Sequence, residues 1–69
     1  MRWIEKRPNE GDTVKIIWSE WYAKQIGRKS DVGVVMGTVP YTSGNRYKID
    51  IGSRHVHIPM DGTFEVFEK

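Results

Sequence analysis

The sequence contains no cysteine. Neither a disulfide nor a thiolate zinc site can staple the fold, and a small chain without such a staple is expected to work in a reducing compartment. Proline is scarce, at three residues, and no apolar run approaches the roughly 20 residues that cross a bilayer as a helix. The N-terminus, Met1-Arg2-Trp3-Ile4-Glu5-Lys6-Arg7, carries a charge every few residues and holds no apolar stretch of signal-peptide length. The expectation is a cytoplasmic protein with no membrane partner. A large excess of one charge is missing too: 11 Lys plus Arg face 9 Asp plus Glu, a formal net charge of +2. Phosphate neutralisation supplies most non-specific DNA affinity, so a nucleic-acid role has to rest on a local patch.

With 69 residues the chain has room for one domain, residues 1–69, with 1–9 as an N-terminal extension. A chain this short buries only about 60% of the surface its unfolded form exposes. That leaves no room for a deep cleft between two lobes, so any chemistry is expected on the surface or between subunits. Repeats, low-complexity tracts and linkers are absent.

What is present is β patterning. In Asn45-Arg46-Tyr47-Lys48-Ile49-Asp50-Ile51, apolar Tyr47, Ile49 and Ile51 alternate with charged residues, the period of a half-buried strand. Gly52-Ser53 is a two-residue turn signal, and Arg54-His55-Val56-His57-Ile58 alternates again. Counting outward from a tight turn pairs Ile51 with Arg54, Asp50 with His55, Ile49 with Val56, Lys48 with His57 and Tyr47 with Ile58. Apolar pairs then share one face and polar pairs the other, whereas a slip of one residue would mix them. Further strands are expected over Thr13–Trp18, Val32–Val39 and Thr63–Phe67, with a bulge or bend at Gly33 or Gly37 and a strand fragment at Trp3-Ile4. The segment Ser19–Ser30 reads as one long loop holding a helical turn that Gly27 ends. Long loops in compact domains are often functional.

Five short antiparallel strands with a long loop after the first main strand make an all-β plan. Gly11-Asp12-Thr13-Val14-Lys15-Ile16 resembles the G-D-x-V-x-I opening of KOW-type and related SH3-like barrels, and Asp31-Val32-Gly33-Val34-Val35 resembles their second strand. The resemblance covers roughly residues 10–67 and implies a small SH3-like barrel. It also implies partners drawn from RNA, DNA, ribosomes, RNA polymerase or larger enzymes. Type II dihydrofolate reductase shares this architecture and is an enzyme only as a tetramer, through a V-Q-I-Y strand. The comparable Val56-His57-Ile58-Pro59 lacks both the Gln and the Tyr.

The chemistry-bearing residues point to binding rather than catalysis. His55 and His57 supply two metal donors on one strand face with no evident third, and Asp50 beside His55 makes a cross-strand ion pair the simpler reading. No metal site and no cofactor is expected. The serines all lie in loops or turns, where local hydrogen bonding explains them, and no nucleophile–base pair or phosphate loop is visible. Instead, the hairpin collects Arg46, Lys48, Arg54, His55 and His57, and the long loop collects Trp21, Tyr22, Lys24, Arg28 and Lys29. Cations grip phosphates and flat aromatics stack on bases, a mixture suited to RNA or single-stranded DNA. The same residue types anchor protein interfaces, so a protein-binding adaptor or small subunit is the alternative. An oligomeric enzyme with a site between subunits is a remote third. Strand alternation is expected to leave Ile17, Val35 and Phe67 on outer faces, and three such residues close together would make a docking surface or homodimer.

Overall fold

In the computed structural model, which describes residues 1–68, the strongest alternation in the sequence becomes the most regular hairpin. Lys69 lies outside the described residues. The elements in chain order are β1 (Arg2–Glu5), β2 (Thr13–Ile17), α1 (Glu20–Ile26), β3 (Ser30–Tyr41), β4 (Gly44–Asp50), β5 (His55–Pro59) and β6 (Thr63–Glu68). Every pairing counted from the Gly52-Ser53 turn is present: Asp50 faces His55, Ile49 faces Val56, Lys48 faces His57 and Tyr47 faces Ile58. Ile51 N–H donates to the Arg54 carbonyl at 3.0 Å, and Gly52 takes a φ of 95° that an L side chain rarely adopts.

The fold is all-β apart from one short helix, and its strands form one antiparallel sheet in the order β1-β6-β2-β3-β4-β5. The Trp3-Ile4 fragment supplies the sixth strand, as β1 on the outside of β6. Two strands separate β4 from β6, roughly 14 Å across a flat sheet. Yet the rings of Tyr47 on β4 and Phe64 on β6 meet edge-on, with centroids 5.3 Å apart. The sheet therefore curls over its inner face. Inside the curl lie Val14, Ile16, Val35, Tyr47, Ile49, Phe64 and Val66, all buried, with Trp18, Val56 and Ile58 packed against them. Among the described residues no ladder joins β5 to β1, so the curl stays open and both strands are free edges.

One expectation is corrected. Val35 points into the core, 2% exposed, rather than outward. It shares the inner face with Gly33, whose position admits no side chain: a Cβ there would lie 2.4 Å from the Asp50 carbonyl oxygen. The outward residues of this stretch are Val32, Val34 and Met36. A bulge between Val35 and Gly37 then reverses the parity of β3, so that Val39 lies opposite Arg46 on the outer face.

The long segment is an ordered excursion rather than a loop. Ser19 Oγ accepts the Tyr22 N–H at 3.2 Å as the helix N-cap. Gly27, in the left-handed region with φ 77°, closes α1 by donating its N–H to Ala23. The Trp18 N–H donates to the Lys29 carbonyl at 3.0 Å and ties the two ends of the excursion together.

Candidate nucleic-acid interface

The open curl sets the free edge of β5 across from the end of β2 and the starts of α1 and β6. Between them runs a groove of about 670 Å³. Trp18, Ser19, Tyr22 and Thr63 line one side, and Arg46, Arg54, His55 and His57 line the other.

Each wall is held by contacts behind it. Trp18 donates its indole N–H to Asp31 Oδ2 at 2.8 Å, and Arg28 Nε donates to the same oxygen at 2.8 Å. Tyr22 packs edge-on against Trp18, with ring centroids 4.9 Å apart. On the other wall the Arg46 guanidinium lies 4.4 Å from the centroid of the Tyr41 ring. The Tyr41 hydroxyl in turn hydrogen-bonds His57 Nδ1. This chain of contacts restrains Arg46, which reduces the side-chain entropy a ligand would otherwise have to remove. His55 lies 3.8 Å from the Asp50 carboxylate, whose other oxygen accepts the Gly52 N–H at 2.8 Å.

The charge in the groove is of one sign. Two arginines and two histidines line it, and none of its lining side chains is an Asp or Glu, although the chain carries 9 of them. Low-dielectric walls around charges of one sign focus the field on an incoming anion.

The structure divides the residues singled out from the sequence. It gathers Tyr22, Arg46, Arg54, His55 and His57 in this groove. Lys24, Arg28 and Lys29 line a different hollow, beside Ile17 and Ala23. There Lys24 pairs with Glu20 at 3.6 Å and Arg28 is engaged by Asp31. Trp21, 71% exposed, and Lys48 line neither hollow. Two contributors escaped sequence reasoning. Trp18 ends the strand expected over Thr13–Trp18, and Tyr41 lies beyond the strand expected over Val32–Val39; neither was among the candidate residues. A signal for Tyr41 existed in the bulge at Gly37, because a reversal of parity carries it to the side of Arg46.

Ile17, Val32, Val34 and Met36 are exposed, while Phe67, half-buried, is covered by Trp3 at 5.1 Å between ring centroids. Among the described residues no three His, Asp or Glu side chains converge as a metal site would need, and no helix is long and apolar enough to cross a membrane.

No family model matches the chain, and neither does any curated protein or solved structure.

Proposed function

We propose that this chain is a non-enzymatic binding module of the SH3-like barrel type that holds nucleic acid in the groove between β5 and the start of α1. The barrel reading rests on strand order: β6-β2-β3-β4-β5 is a meander whose last strand returns to pair with the first, around one small core. The binding reading rests on a single observation. The acid-free groove combines two arginines and two histidines with Trp18 and Tyr22, the pairing of cations and aromatics that single-stranded nucleic acid demands. The near-balanced net charge makes such a local concentration of one sign more informative.

The test is fluorescence anisotropy of a labelled single-stranded oligonucleotide from 50 to 200 mM salt, both concentrations chosen around the regime in which about three decades of affinity can be lost. Log affinity should fall linearly with log salt. Replacing both Arg46 and Arg54 by Ala should reduce the steepness by about 1.4, since each single-strand phosphate contact contributes about 0.7. Binding without a salt slope, or a slope untouched by the double substitution, rejects the groove as a phosphate site.

A second reading, a protein-binding adaptor or small subunit, is favoured by the outer face of β2 and β3, where Ile17, Val32, Val34 and Met36 are exposed. Of that face only Ile17 also lines the groove, and the two readings are compatible in one molecule.

A further inference from the structure

The main chain of β5 carries information that its side chains do not. Ile51 and Arg54 are a hydrogen-bonded pair, and in an antiparallel ladder such pairs alternate with pairs that exchange no bonds. Ile49–Val56 and Tyr47–Ile58 are therefore the next bonded pairs. His55, His57 and Pro59 direct their main-chain groups away from β4, toward the free edge. Pro59 has no N–H to offer, and its carbonyl accepts the Gly62 N–H at 3.0 Å. Among the described residues the unpaired edge of β5 is thus the N–H and C=O of His55 and of His57, both lining the groove. Two residues along a strand span about 6.8 Å.

Resting on the nucleic-acid reading above, we propose that the bound strand is single and that the β5 edge reads its bases. His55 and His57 each offer one main-chain donor and one acceptor, and every nucleobase carries a donor beside an acceptor on its pairing edge. Two successive bases splayed from an extended strand meet those two rungs while Arg46 and Arg54 engage phosphates. A duplex has already spent its pairing edges on its own complement and is refused. An extended peptide could use the same groups, but Pro59 has no N–H and its carbonyl is taken by Gly62, which holds such a peptide to two bonded rungs. The absence of acidic residues from the lining likewise points to a polyanion.

The test is amide hydrogen exchange by NMR on the unmodified chain, free and with a short oligothymidylate, an abasic strand of equal length, a duplex or polyglutamate. The expected result is protection of the His55 and His57 amides by oligothymidylate, about tenfold or more, with Val56 and Ile58 unchanged. The abasic strand and the duplex should each bind about tenfold more weakly, the loss set by missing base contacts. His57→Pro removes the edge N–H and leaves the β4 ladder intact, so it should abolish the preference for oligothymidylate over the abasic strand, whereas His57→Ala should keep it. Should His57→Pro fail to fold, the exchange result on the native chain decides. If the abasic strand binds as tightly as oligothymidylate with a normal salt slope and the two amides stay unprotected, base reading is overturned and phosphate binding survives. If only polyglutamate protects these amides, both readings fall and the groove belongs to an acidic chain.

Discussion

Trp18 and Arg28 meet on one oxygen: the indole N–H and the guanidinium Nε both reach Asp31 Oδ2 at 2.8 Å. Asp31 is the second residue of β3, Trp18 follows β2, and Arg28 follows α1, so one carboxylate ties three elements where the groove wall is built. Its side chain is only 18% exposed, which keeps water from replacing the lost partners cheaply. Asp31→Ala should therefore destabilise the chain by about 1–3 kcal/mol in urea unfolding. Asp31→Asn retains an acceptor for the indole N–H and should lose less. Equal losses in the two variants would show that the Trp18 bond contributes nothing.

Gly33 is the point of closest approach between β3 and β4. A methyl group there would press on backbone, the Asp50 carbonyl oxygen at 2.4 Å, and on Ile49 Cγ2 at 2.9 Å. Neither neighbour is the loose end of a flexible side chain. Gly33→Ala should cost about 3 kcal/mol, at the upper end of overpacking penalties. A thermal unfolding curve superimposable on that of the parent would mean that the strands separate easily at this point.

Two aliphatic residues test which face is inside. Ile49 is fully buried and Val34 is 42% exposed. Ile49→Ala should cost about 2–5 kcal/mol, through lost transfer energy and a cavity. Val34→Ala should stay within about 0.5 kcal/mol. Equal effects would contradict the inward face described here.

Trp21 and Tyr22 are neighbours on α1, yet only Tyr22 lines the groove. Tyr22→Ala should weaken oligonucleotide binding by about 1–3 kcal/mol if its ring carries a base. Trp21→Ala should leave affinity unchanged. Both substitutions improve helix propensity, so a shared effect on α1 does not separate them. The opposite ranking in anisotropy titrations would move the ligand to the exposed side of the helix.

Much of this fold is legible in the sequence because it is local. A tight turn at Gly52-Ser53 and strict alternation leave one register, and all the counted pairs occur. The terminating glycine of α1 is likewise readable, although the segment passes for a loop because only seven residues are helical. Val35 misleads because Gly33 and Gly37 blur the period, and only the packing of β3 on β4 shows which parity faces the core. The groove is less legible still. Its walls come from residues more than 20 positions apart, Tyr22 and Arg46 for example, and only the curl of the sheet brings them together. From the sequence, ten basic and aromatic residues look like one surface; the fold sorts them by which side of α1 and which strand edge they occupy.

A ladder that never closes has two ends at which a stray strand can attach, and the two are defended by different means. At β1 the strand is four residues long, charged at Arg2 and Glu5, and followed by Lys6 and Arg7, so an invading chain finds little length and much charge to desolvate. At β5 a proline truncates the template instead, leaving two rungs. Self-association through sheet extension is thus discouraged at both extremities, by charge at one and by a missing N–H at the other.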